Sequence, residues 1–100
     1  MSNVGTPERI VIVPGSVPAL PRHVKLRHDK ARNCWMILAP ERVFTPDPIA
    51  LEVIELCDGE RNVDAIAEAL AARYAAPKAR ILNDIMSMLQ DLADKGVMSA

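Results

Sequence analysis

Several things are missing from this chain, and each absence closes off a class of function. No run of 18 or more apolar residues occurs, so nothing is long enough to cross a bilayer as a helix. The N-terminus has no basic segment followed by an apolar stretch and a small-residue cleavage site, so no secretory signal is read there and a cytoplasmic location is expected. Cysteine is confined to Cys34 and Cys57, with no CxxC pairing, which points to two free thiols rather than a disulfide. The four glycines, Gly5, Gly15, Gly59 and Gly96, are too scattered to build a phosphate loop. His23 and His28 have a spacing that suits neither helical nor strand metal ligands, and both sit among cations. No Ser/His/Asp or Cys/His set is arranged by a local motif, although such sets are recognised by geometry in the end. The expectation is a protein with no catalytic residue, no metal and no cofactor.

What remains is an ordinary globular composition. With 100 residues, half apolar and a quarter charged, the chain suits one domain that buries roughly two-thirds of its unfolded surface. Its net charge of −1 hides an asymmetry. From Leu20 to Arg42 there are six basic residues (Arg22, Lys25, Arg27, Lys30, Arg32, Arg42) against two acidic ones (Asp29, Glu41). From Val43 onward there are five basic against ten acidic. A basic end and an acidic end follow, and they read either as two solvated faces or as surfaces that steer charged partners.

Residues 1–19 read as a flexible N-terminal tail, in which "RIVIV" (9–13) is β-prone and "PGSVP" is a loop signature. The domain proper is expected over 20–100. "VKLRH" (24–28) alternates, placing Val24 and Leu26 inward and Lys25 and Arg27 outward. "NCWMIL" (33–38) is apolar on both faces, as in the middle strand of a meander. "APER" makes a tight turn with Pro40 at its second position, and "RVFT" returns as a third strand. Asp47 as N-cap and Pro48 as first helical residue open a helix to Cys57, with Ile49, Val53, Leu56 and Cys57 on one face. Asn62 caps a second helix through Tyr74, with Val63, Ile66 and Leu70 inward. Pro77 opens the third and longest helix, which ends near Lys95 with Gly96 beyond it. The order β-β-β-α-α-α gives a small α+β domain of winged-helix character, a three-stranded antiparallel sheet followed by three helices.

One stretch in this layout is unusual. In "APERVFTPDP" (39–48), good strand formers at Val43, Phe44 and Thr45 are crowded by Pro40, Pro46 and Pro48. A central strand cannot accept this, because proline breaks the ladder; an edge strand can. The prolines either set two tight turns or fence a short edge that accepts one added strand while resisting further sheet growth.

A winged-helix layout also raises DNA binding as an alternative reading, that of a regulator. The helices argue against it. The second carries Asp64 and Glu68 against Arg73, and the third balances Lys78, Arg80 and Lys95 with Asp84, Asp91 and Asp94. Phosphate contacts dominate affinity for DNA, so a neutral or acidic reading helix is a poor one. The basic sheet end keeps that reading open.

Three segments carry a specific likeness. "LPRHVKLRHDKARNCWMILAPERV", "LCDGERNVDAIAEALAARY" and "DIMSMLQDLADKGV" together resemble the PqqD family of pyrroloquinoline quinone (PQQ) biosynthesis, from about Leu20 to Met98. "LAPER" (38–42), "CDGER" (57–61) and the Asp84-Ile85 pair are the most telling pieces. The resemblance implies a non-catalytic peptide chaperone, a recognition element for ribosomally made peptides. It would bind the precursor peptide PqqA and present it to the radical-SAM enzyme PqqE. The resemblance also implies that the leader adds a strand to the third strand and packs against the third helix. The peptide-binding residues are then Arg42, Val43, Phe44 and Thr45 on the edge, with Ile81, Asp84, Ile85 and Met88 as a stripe one turn apart. Glu52, Glu55, Asp58 and Glu60, placed on the first two helices, are the candidate surface for the partner enzyme. Two features depart from the family pattern: the proline-rich "VFTPDPIA" and the 1–19 tail. Some members are fused to the oxidase PqqC, and others form intertwined dimers, so self-association stays open here.

The lack of any ligand cluster gives a first test. Protein purified without added metal is expected to contain no stoichiometric iron or zinc by elemental analysis, and a molar equivalent of either would contradict the reading.

Overall fold

The computed structural model describes residues 9–100. Three strands, β1 (Lys25–Asp29), β2 (Cys34–Ala39) and β3 (Arg42–Phe44), form an antiparallel sheet in the order β1-β2-β3. Register follows the hydrophobic pattern. Leu26, Ile37 and Phe44 are direct neighbours across the sheet and share its inner face, where Ile37 is almost fully buried. Lys25, Leu38 and Val43 are likewise aligned on the outer face. A slip of one residue would exchange the two sets, and burial of Ile37 forbids it. As expected, β2 is the middle strand. Its outer side chains Cys34, Met36 and Leu38 stay half-buried, while the neighbouring Val43 is 62% exposed.

The helices begin and end where the capping chemistry places them. Asp47 accepts a hydrogen bond from Ala50 N at 2.7 Å and Pro48 takes the first turn of α1 (Pro48–Leu56). Asn62 does the same for Ala65 N at 2.8 Å and opens α2 (Val63–Tyr74). α3 (Lys78–Asp94) starts after Pro77, which occupies the cap position itself and has no side-chain acceptor for the first-turn amides. Gly96, just past the end of α3, has φ +79°, a conformation glycine adopts freely.

Val53, Ile54 and Cys57 from α1, Val63, Ile66, Ala67 and Leu70 from α2, and Ile85 and Leu89 from α3 meet in the core, closed by Val97 and Met98. Both cysteines are free. Burial pushes the Cys57 thiol up to about 12, and its Sγ donates to Val53 O, so it packs as a small apolar group rather than a nucleophile. The face expected for α1 needs a correction. Ile49 is 64% exposed, and Ile54 takes the buried place beside Val53. The buried stripe of α1 runs along its later turns, leaving the first turn at the rim.

The segment read as a tail makes specific contacts in its described part, 9–19; residues 1–8 lie outside the described residues. Ile12 and Pro18 are buried, and Ala19 and Ser99 exchange two backbone hydrogen bonds of 2.9 Å.

Asn33, Glu41 and Ala75 have positive φ, and of these Ala75 ends a helix, where glycine is the usual occupant. Ala75, which caps α2, has φ 50° and ψ 44°, the left-handed region where a Cβ is penalised. Ala75→Gly is expected to stabilise the fold by about 0.5–1 kcal/mol, the left-handed relief being partly offset by glycine's larger unfolded entropy. Circular dichroism melts should show Tm rising by roughly 2–8 °C.

Candidate functional site

β3 pairs with β2 alone, so its other side is an open edge among the described residues. The turn before it decides which groups that edge presents. Pro40 and Glu41 form a two-residue connection, with Glu41 at φ 61°, and Ala39↔Arg42 is the closing pair. The closing pair of such a hairpin exchanges its hydrogen bonds, and bonded and non-bonded pairs then alternate. Ile37↔Phe44 is therefore the next bonded pair, and the Val43 N–H and C=O turn away from β2 toward the open edge. Phe44 faces inward, packs on the core and lies under the Lys95 ammonium, 5.9 Å from the ring centroid. Arg42 and Thr45 are exposed at the strand's start and just beyond its end.

A second feature lies among the helices. Ile49 and Val53 from α1, Leu70 and Tyr74 from α2, and Ile81, Asp84 and Ile85 from α3 line an apolar cleft of about 220 Å³. Asp84 is its one charged lining residue and makes no ion pair among the described residues. The structure thus brings together three of the four expected α3 residues. Met88 is half-buried against the core and does not line the cleft, and neither does any residue of β3. Strand edge and cleft are joined through the short 45–47 link, which leads directly into Ile49 and the first turn of α1. Ile49, Val53, Leu70 and Tyr74 were not singled out as site residues from the sequence. An isoleucine directly after a capping Asp-Pro pair was the available signal for the cleft's rim.

The acidic surface is more structured than its composition implied. Glu52 binds Arg73 Nη1 at 2.8 Å, tying α1 to α2. Asp58 and Glu60 lie in the turn between these helices rather than on them, which corrects their expected placement. The Asp58 carboxylate accepts from Arg61 N at 3.0 Å and Glu60 N at 2.9 Å, and these bonds hold it below the usual carboxylate range. It is a turn-forming group first. Glu55 and Glu60 are exposed and form no ion pair among the described residues, and so are Lys25, Arg27, Lys30 and Arg42 at the sheet end. His28 packs against its cross-strand neighbour Trp35 in a tilted arrangement, with ring centroids 5.0 Å apart and planes at 49°. Among the described residues no group of three His, Cys, Asp or Glu side chains is placed to hold a metal, and no helix is long and apolar enough to cross a membrane.

Comparison with known proteins agrees with this architecture. The family model for coenzyme PQQ synthesis protein D (PqqD) matches residues 34–98. The PqqA binding protein of Bradyrhizobium diazoefficiens is 55% identical over 93 residues, covering 93% of this chain and 90% of that protein. The bifunctional coenzyme PQQ synthesis protein C/D of Methylorubrum extorquens is 48% identical over 82 residues, 82% of this chain but 22% of the larger protein. Among solved structures, the PqqD truncation of Methylobacterium extorquens PqqCD is described as a functional, stand-alone recognition element for ribosomally synthesised, modified peptides. It superposes with a TM-score of 0.76 at 44% identity, covering 89% of this chain and 95% of that one. PqqD from Xanthomonas campestris gives a TM-score of 0.57 at 39% identity, covering 89% and 99%. The matched residues, the identity to curated relatives and the superposition agree: the chain belongs to the PqqD family of coenzyme PQQ synthesis proteins.

Proposed function

We propose that the protein is a non-catalytic carrier that binds the precursor peptide PqqA as an added strand on β3 and presents it to the radical-SAM enzyme PqqE. The observation that carries this reading is the open edge at Val43, one short link away from an apolar cleft. An added strand takes backbone hydrogen bonds from a sheet edge and specificity from side-chain pockets, and both are present here. The names of the relatives supply the peptide, since several are PqqA binding proteins.

In this reading Val43 supplies the edge donor and acceptor, and Arg42 and Thr45 flank the peptide at either end of the strand. Phe44 fixes β3 to the core. Ile81, Asp84 and Ile85 form the α3 wall of the cleft, Ile49 and Tyr74 its mouth, and Met88 supports the wall from behind. The exposed, unpaired Glu55 and Glu60, with the neighbouring Glu52 and Asp58, form a second surface for PqqE. The protein acts in the cytoplasm and needs no cofactor. The charges of α3 weigh against the DNA-binding alternative: Lys78 is held by Asp64 at 3.0 Å, and Arg80 is the cation left without an ion pair among the described residues of that helix.

Two experiments test the two surfaces. Val43→Pro removes the outward donor while sparing the β2–β3 ladder, and it is expected to raise the Kd for PqqA by roughly tenfold or more, the loss of a hydrogen bond plus the ring's steric block. Calorimetry measures the affinity, and circular dichroism checks that the helices persist. Amide shifts on PqqA addition should concentrate at 42–45, 49, 74 and 81–85; shifts confined to the first turn of α2 would refute the model.

The partner surface predicts a separation of effects. Glu55→Lys with Glu60→Lys should weaken PqqE binding in a salt-dependent way, since exposed charges are screened over about 10 Å at 0.1 M salt. PqqA affinity should stay as it was. If both affinities fall together, the two surfaces are one.

A further inference from the structure

α3 is gripped on the flank opposite the cleft. Gln90 and Asp94 lie one turn apart on α3, and at about 100° per residue Gln90 falls about 180° round the helix from Ile81. There the segment 9–19 meets them. The Gln90 amide donates to Ile10 O at 2.7 Å and accepts from Ile12 N at 2.8 Å, so one side chain hydrogen-bonds an extended backbone as a neighbouring strand would. Arg9 donates twice to Asp94, at 2.9 Å to each oxygen, and Gln90 also donates to Asp94 at 3.1 Å. Between these polar contacts the Ile12 side chain is buried.

The same segment then crosses to α2. Pro14 O accepts from Asp64 N at 3.0 Å and Ser16 O accepts from Val63 N at 2.8 Å, satisfying two first-turn amides that no helical carbonyl can reach. Pro18 O accepts from Gly59 N at 3.1 Å. A single strand of chain thus fastens the start of α2 to the second half of α3. None of it lies within the residues that the family model matches, 34–98.

We propose that residues 9–19 are a strap that sets the position of α3 and thereby the width of the cleft, with Gln90 as its clasp and a positioning residue for peptide binding. This rests on the peptide reading above. The strap holds the α3 wall in the arrangement that faces Ile49 and Tyr74, and releasing it leaves only part of the population competent to bind.

The test uses the full chain with Gln90→Met, which keeps the apolar stem and removes both backbone contacts, and Ile12→Ala as an independent lesion. Ile66→Val, a core change in α2, serves as a control for lost stability. All are measured well below their Tm values. The strap predicts that Gln90→Met and Ile12→Ala each raise the Kd for PqqA about three- to tenfold, as the competent fraction falls. It also predicts faster hydrogen exchange of amides 81–88 in both variants. Ile66→Val should lower Tm without either effect.

An unchanged Kd in both strap variants, despite a lower Tm, would overturn the proposal and leave the strap a purely stabilising element. If wild-type protein failed to bind PqqA at all, the peptide reading would fall. The strap would then be judged on exchange alone, and unchanged exchange at 81–88 would overturn it.

Discussion

The packing of α2 against α3 is the contact on which the remaining structure rests. Val63, Ile66 and Ala67 of α2 and Leu89 of α3 are completely buried, and the pair sits at the centre of the core. A three-stranded sheet cannot bury its own inner face, so Ile37 has to find its cover among the helices. The cleft is where the packing of these helices runs out. Leu70 and Ile85 belong to the core and also line the cleft, so the wall and floor of the candidate site are the outer surface of the stabilising contact. A site built this way is rigid at its base and adjustable at its rim, where Ile49 and Tyr74 are about half or more exposed.

Much of this was legible in the sequence, for identifiable reasons. Asp47-Pro48, Asn62 and Gly96 have local chemistry that permits few other roles, and each sits where that chemistry puts it. The alternation of "VKLRH" and the double-sided apolar run of β2 gave strand order and inner face, because the strand period leaves no freedom once one face is buried. What escaped were features that depend on distant partners. Gln90 reads as an ordinary helix amide, and only the fold brings it to Ile10 and Ile12, 80 and 78 residues away in the chain. Ile49 looks like a core position by spacing alone, since it stands four residues before the buried Val53. In the fold it lines the cleft instead, at 64% exposure. Asp58 reads as surface charge until its carboxylate is seen closing the turn on Glu60 and Arg61.

The charge asymmetry is likewise sharper in space than in sequence. Much of the acidic side is engaged: Glu52 with Arg73, Asp64 and Glu68 with Lys78, Asp94 with Arg9. These are mostly exposed pairs, each worth little in stability, but they consume charge that would otherwise attract partners. At the sheet end Arg32 approaches Asp29 only at 3.9 Å, while Lys25, Arg27, Lys30 and Arg42 remain without ion pairs among the described residues. The sheet end therefore carries the stronger field for its number of charges, and around the α1–α2 turn only Glu55 on α1 and Glu60 in the turn are free among the described residues. A docking interface on the acidic side would be narrow and set by few charges.

The prolines around β3 can now be given a physical role. β3 spans three residues, and the hairpin register directs only the Val43 N–H and C=O of that strand outward. Pro46 and Pro48 follow at once and offer no amide to extend the ladder. An edge this short is a poor template for a growing sheet. It also cannot hold a peptide alone. A backbone hydrogen bond contributes about 0.5–1.5 kcal/mol net, while association costs at least about 4 kcal/mol in lost freedom. One large apolar side chain fully buried contributes about 1.5–3 kcal/mol, so a peptide on this edge would need side-chain contacts such as those the cleft offers. In the proposed reading edge and cleft divide the work: the edge would fix register and direction, and the cleft, with Asp84 as its one charged lining residue, would select among peptide side chains.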